Sequence, residues 1–277
     1  MGYIDAHSHV WTQDLEDYPI LPEFSAEQMA PATFTPEELF AHCTPSGVDR
    51  VLLIQMSYYG CDNSYMTDCI ARRPAAFRGI AVTDHESPVL GEQMAQLRSQ
   101  GVRGFRVQPR DAAAGGWLAD ADYGRMLGLA GELGMAICPL IDPEYLPDVA
   151  RAAGTFPGTR FVVDHLARIG VTGTVRQADV DMLCALAQQP NCLVKVSAFY
   201  ALGAKKPPHD DLIPMIRRVF NAFGPDRLMW ATDCPYQVQH GTYEDSIGLI
   251  RDRLGFLSDE AKEGLLGRTA ERVFFGD

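Results

Sequence analysis

The sequence predicts a single parallel (β/α)₈ barrel of the TIM type spanning residues 1–277, on three observations. The length of 277 residues matches that fold's usual size of about 250 and, with 47% hydrophobic composition, allows a large core. Short runs rich in Val, Ile, Leu and Phe alternate with helical segments, the pattern of parallel strands buried on both faces. Eight such runs can be counted, and eight strand-then-helix units favour a closed barrel over an open doubly wound sheet.

The strands are expected at 3–9, 50–57, 77–84, 102–108, 135–142, 160–165, 192–198 and 227–233. The first helix, 35–44, opens T-P-E-E with Pro36 in its first turn and acidic residues beside it, which suits the positive end of the helix dipole. Further helices are expected at 62–73, 87–100, 119–134, 143–153, 177–188 and 211–223, with 243–254 and 259–268 closing the chain. Turn residues mark several entries into strands: T-P-S-G at 44–47, Gly101, Gly134 and G-P-D at 224–226. No low-complexity tract, long linker or fixed-period repeat is visible.

Charge narrows the partners. With 24 basic and 36 acidic residues the net charge is −12, which disfavours phosphate backbones and anionic membrane surfaces. No window approaches the roughly 18 apolar residues of a membrane span, and the opening MGYIDAHSHVW carries charge and histidine where a secretory signal needs an apolar run. A cytoplasmic protein with neither nucleic-acid nor membrane partners is expected, and a homo-oligomer is compatible with it. Seven cysteines without C-x-x-C spacing read as reduced thiols.

The chemistry concentrates at strand ends. His7 and His9 are two apart on the first strand, so they share a face at its C-terminal end, where barrel active sites lie, with Asp5 one step deeper. Imidazole is a common ligand of zinc and similar ions, so the pair points to a metal or catalytic role. Partners appear where R-F-V-V-D-H ends in Asp164-His165 and where L-M-W-A-T-D-C-P ends in Asp233. If Val163 faces the barrel interior, so does His165, and Asp164 faces the helices as a structural residue. Taken alone, Asp233 reads equally as a cap for the following segment.

I-D-A-H-S-H-V-W, G-F-R-V-Q, V-V-D-H-L-A-R and M-W-A-T-D-C-P, in that order from residue 3 to about residue 235, resemble the amidohydrolase superfamily, in its branch of amidohydrolase-related lactonases and decarboxylases. The resemblance implies a distorted barrel and a divalent ion, zinc first and manganese second, held by His7, His9 and Asp233. It also implies a water activated for attack on a carbonyl. His165 matches the D-H-L motif, whose histidine joins the site or stabilises developing charge, and Asp233 doubles as general base. One departure is the fifth strand, M-A-I-C-P-L-I-D, which lacks the histidine that decarboxylases and many deaminases carry there. Cys138 could stand in as a thiolate, although a buried cysteine is usually a core residue. With no lysine on strand 4 to bridge two ions, a binuclear site is not expected. Related lactonases also work without a firmly bound metal, so metal-free catalysis stays open.

Arg106 interrupts an apolar strand with a charge, which implies either a substrate anion or an internal salt bridge, to Asp84 or Asp142. Gln55 and Gln108 end strands and either orient substrate or anchor loops. The tyrosine-rich segment 56–65, with Tyr58, and the segment 199–210 are candidate pocket walls, with Trp11 as pocket lining. His42, His85, His209 and His240 lack matching partners and read as ordinary surface or loop residues. The reading favoured is a hydrolase of a small, carboxylated lactone or related ester. Asp233 deprotonates water, the histidine pair polarises the carbonyl, Arg106 holds an anionic group and His165 steadies the oxyanion. The alternatives are a metal-dependent decarboxylase of an aromatic acid and a non-catalytic barrel that binds a small anion.

Overall fold

The computed structural model describes residues 2–109 and 113–276. Eight parallel strands form one sheet in chain order: β1 (Tyr3–Ser8), β2 (Val48–Ile54), β3 (Phe77–Ala81), β4 (Val102–Val107), β5 (Ala136–Pro139), β6 (Arg160–Val163), β7 (Cys192–Val196) and β8 (Leu228–Trp230). The seam closes beyond the end of β8. Ser8 bridges Cys234 in parallel, Asp233 N–H donates to His7 O at 2.8 Å and His9 N–H donates to Cys234 O at 2.8 Å. The barrel is distorted, with register shifts along β1–β2 and β3–β4.

Each expected strand is present, but most stop short of their expected C-terminal ends. β6 ends at Val163 and β8 at Trp230, because left-handed backbone follows. Residues 165–168 have φ of 53–55° and Asp233 has φ 71°, a region bulky residues rarely adopt. The functional residues therefore sit on the sharp turns after the strands.

Between the strands run α1 (Pro36–Cys43), α2 (Ser64–Arg72), α3 (Leu90–Ser99), α4 (Ala121–Glu132), α5 (Leu146–Thr155), α6 (Gln177–Ala185) and α7 (Ile213–Phe223). Thr35 and Glu38 form a reciprocal capping box at the start of α1, satisfying two backbone donors that the first turn leaves free. After β8 come α8 (Tyr236–His240), α9 (Tyr243–Gly248) and α10 (Asp259–Glu263), the last two continuing into wider turns. No helix among the described residues is long and apolar enough to cross a membrane.

Two apolar clusters divide the core. The larger lies between strands and helices; the smaller fills the barrel interior with Ile4, Ala6, Leu52, Ile80, Ala136, Val162, Leu193 and Met229, joined by Phe274 and Phe275 of the last turn. Along β6 it is thus Val162 that faces inward and Val163 that faces the helices. This reverses the parity expected for that strand and turns Asp164 into the barrel.

Candidate functional site

Above the apolar layer, alternation on β4 and β7 carries Arg106 and Lys195 into the barrel, two residues beyond Gly104 and Leu193. Lys195, wholly buried, places Nζ 2.9 Å from Asp164 Oδ1, while Arg106 Nη2 donates to Asp164 Oδ2 at 2.9 Å. A buried charge is tolerable only when paired, and here one carboxylate answers two cations. Burial pushes the Asp164 carboxyl up, but Lys195 and Arg106 outweigh it and hold the group well below the ordinary carboxylate range. The competing salt-bridge reading of Arg106 is therefore realised, with Asp164 as partner rather than Asp84 or Asp142.

His7 rests on this charge layer. Arg106 Nη2 donates to His7 Nε2 at 2.9 Å, so the ring hydrogen sits on Nδ1, facing Asp164 Oδ1 at 3.4 Å, with Lys195 Nζ also 3.4 Å from Nδ1. Burial, reinforced by the neighbouring cationic groups, drives His7 well below the usual imidazole range and keeps it neutral. Asp5 does not share this face. It alternates with Ile4 and Ala6, which face the barrel interior, and the register shift that follows it separates it from His7; it accepts from Tyr243 O–H at 2.8 Å, from Ser8 O–H at 2.9 Å and from Thr232 N–H at 3.0 Å. Asp5 thus ties β1 to the turn that carries Asp233.

Asp233 is the meeting point. Its Oδ1 lies 3.2 Å from His9 Nε2 and 3.5 Å from His7 Nε2, while Oδ2 accepts from Tyr200 O–H at 2.6 Å and lies 3.9 Å from His165 Nε2. Burial raises its pKa, but the surrounding histidines, His165 foremost, more than reverse this and hold it below the usual carboxylate range. His165 is pushed down to about 4, chiefly by burial. Tyr236 sets its ring edge against His9, with centroids 5.9 Å apart, and burial raises its phenol pKa.

The donor set suits a divalent cation. His7, His165 and Asp233 each offer a ligand atom, all within 4.8 Å of one another, which matches the three protein ligands of catalytic zinc sites. His9 lies outside that group but not outside the site. Ile54 O and Asp233 Oδ1, each of which can only accept, lie 2.9 and 3.2 Å from His9 Nδ1 and Nε2, so the ring is held between two acceptors. Cys138 is fully buried and its thiol is pushed up to about 12 by burial, which removes the thiolate that ligation requires.

A cavity of about 710 Å³ opens beside the charge layer, with Arg106, Gln55, Gln108, Asp84 and His85 in its wall. Arg106 Nε itself is buried and has no hydrogen-bond partner. Gln55 Nε2 is spent on Gly60 O and Asp62 O, at 3.2 and 2.6 Å, as a loop anchor. Tyr58 and Trp11 stay out of the cavity wall. Trp11 is wholly buried with Nε1 on Pro31 O at 2.8 Å, and it backs both Tyr58 and Tyr236. Among the histidines set aside earlier, His209 is buried rather than exposed, and His240 stacks on Tyr200 with centroids 5.2 Å apart.

Sequence reading missed Lys195, Ser197 and Tyr200 and gave Asp164 the wrong face. Lys195 carried the signal that marked Arg106, a charge inside an apolar strand, C-L-V-K-V. Tyr200 lay within the segment 199–210 read as a pocket wall, but its contact with Asp233 depends on a turn after β7.

Comparison with known proteins shows the family. A family model described as amidohydrolase matches residues 4–276. An L-fucono-1,5-lactonase of Burkholderia ambifaria is 27% identical over 246 residues, covering 87% of this chain and 83% of that protein. A 2-pyrone-4,6-dicarboxylate hydrolase of Comamonas testosteroni is 28% identical over 253 residues, covering 85% and 77%. Among solved structures, an amidohydrolase of Burkholderia multivorans with bound zinc superposes with a TM-score of 0.84 at 22% identity, covering 100% of both chains.

Proposed function

The chain belongs to the amidohydrolase family, and from that premise we propose that it hydrolyses a small lactone, with a carboxylated lactone as the favoured class. The observation that carries this reading is Asp233, an ionised carboxylate within 3.5 Å of two histidine nitrogens at the mouth of the barrel. Lactone hydrolases among the relatives support the reaction class.

Asp233 is placed to orient a water and take its proton as the water oxygen attacks the lactone carbonyl carbon. The carbonyl π electrons move to oxygen, and Arg106, fixed by Asp164, stabilises that developing charge without reorganising. Collapse of the tetrahedral species re-forms the carbonyl and breaks the ring C–O bond. The departing alkoxide takes up the proton held by Asp233, leaving a hydroxy acid. The Arg106 guanidinium, which lines the cavity, is the group proposed to meet the substrate's carboxylate.

A divalent ion, zinc or manganese, would be held by His7, His165 and Asp233, with His7 Nε2 giving up its hydrogen bond from Arg106 to the ion and His9 as the flanking donor. When bound it supplies polarisation of a carbonyl and acidification of a water. The decarboxylase alternative loses ground because β5 offers only the protonated thiol of Cys138 where a histidine ligand is wanted.

The test is a hydrolysis screen over neutral sugar lactones, carboxylated lactones and simple esters, run before and after chelation and with Asp233→Asn as the blank. Turnover of a lactone that vanishes in the blank supports the reading. Binding of lactones without turnover would replace it with the non-catalytic barrel.

A further inference from the structure

The segment after β7 delivers one side chain to each of three residues of the site. Lys195 meets Asp164, Ser197 meets His165 and Tyr200 meets Asp233, with spacing K-x-S-x-x-Y. Nothing in the reaction proposed above uses the two hydroxyls. Both are tightly placed, since Ser197 is wholly buried and the left-handed Ala198 (φ 56°) starts the turn that lifts Tyr200 over the site.

The direction of the Ser197 hydrogen bonds is decided by its second partner. Ser197 O–H donates to Lys195 O at 3.4 Å, a backbone oxygen that can only accept. With its one hydrogen spent, Ser197 Oγ is left as the acceptor for His165 Nδ1 at 2.9 Å. The hydrogen of neutral His165 is then on Nδ1, and its Nε2 presents a lone pair toward Asp233 Oδ2, 3.9 Å away. An imidazole nitrogen of that kind accepts a proton or ligates a cation. It cannot donate to an oxyanion, the role expected of His165 from sequence.

Resting on the hydrolytic reading of the same site, we infer that Ser197 and Tyr200 are positioning residues of the reaction. Ser197 holds His165 in the tautomer whose Nε2 lone pair enters the site. Tyr200, donating at 2.6 Å and stacked on His240, anchors Asp233 Oδ2 so that Oδ1 is the oxygen presented to His7 and His9. Oxyanion stabilisation accordingly falls to Arg106 rather than to His165.

The experiment pairs a spectroscopic signature with kinetics. Imidazole ¹⁵N spectra of the full chain at neutral pH, with the His165 signal assigned by its loss in His165→Gln, are expected to show hydrogen on Nδ1 and none on Nε2. Ser197→Ala is expected to mix the two tautomers, and Ser197→Thr to restore the first. On a hydrolysed lactone, Ser197→Ala and Tyr200→Phe are each expected to lower kcat about 10–100-fold with KM changed less than about twofold, as supporting hydrogen bonds of a reactive centre do. Hydrogen on Nε2 in the unsubstituted protein, or full kcat in both variants, overturns the proposal. Should no lactone be turned over, the tautomer measurement decides the Ser197 assignment by itself, so failure of the hydrolytic reading is told apart from failure of this one.

Discussion

Lys195 Nζ and Asp164 Oδ1 lie 2.9 Å apart with both side chains wholly excluded from solvent. Asp164 also holds Arg106, so removing the carboxylate leaves buried cations without a counter-charge, a larger cost than removing Lys195, which leaves Asp164 paired with Arg106. Asp164→Leu is therefore expected to destabilise the protein by about 3–5 kcal/mol, read from denaturant midpoints, and Asp164→Leu with Lys195→Met to recover part of that loss. A single variant as stable as the parent would mean that the pair carries no net weight.

Asp233→Asn retains the size and the Tyr200 contact but removes the proton acceptor. Turnover is expected to fall about 10²–10⁴-fold, the range for loss of a general base, with an unchanged far-ultraviolet circular dichroism spectrum. Full activity in this variant would eliminate Asp233 as the base.

Arg106→Lys keeps a charge but loses the fork that serves Asp164, His7 and the cavity together. For a carboxylated lactone, kcat/KM is expected to drop by roughly 10–100-fold, the weight of one or two charged hydrogen bonds. A neutral lactone should lose less. Equal losses for both substrates would remove Arg106 from carboxylate binding and leave it with the oxyanion.

Stability should fall on acidification. His165 is held at about 4 in the folded protein against 6.5 as a free group, so the unfolded chain binds the extra proton between those values and stability rises with pH across that window. Going from pH 7 to pH 4 should cost on the order of 3 kcal/mol from this residue alone. His7, lowered in the same direction, adds to the loss. In His165→Gln the pH slope of the unfolding midpoint should flatten between pH 4 and 6.5, and an unaltered slope would contradict the burial of a neutral ring.

Elemental analysis of untagged protein before and after chelation tests the cation. About one zinc or manganese per chain, lost together with activity, is the expected result for a mononuclear site of three protein ligands. Chelator-insensitive hydrolysis by metal-free protein would assign the chemistry to Asp233, Arg106 and the histidines alone.

The linear pattern of residues was enough for the barrel, since eight apolar runs alternating with helices leave little choice of architecture. It was enough as well for His7, His9, His165, Asp233 and Arg106, because a charge or an imidazole at the end of an apolar strand costs too much to be accidental. Tertiary structure decided which face each residue takes. A shifted register separates His7 from Asp5, which points out toward Tyr243, and the inward parity of Val162 turns Asp164 onto Arg106 and Lys195. Only the fold could bring Tyr200 to Asp233, 33 residues away in sequence, because that contact depends on a left-handed turn after β7 and on the closure of the barrel, neither of which leaves a periodic signal in the chain.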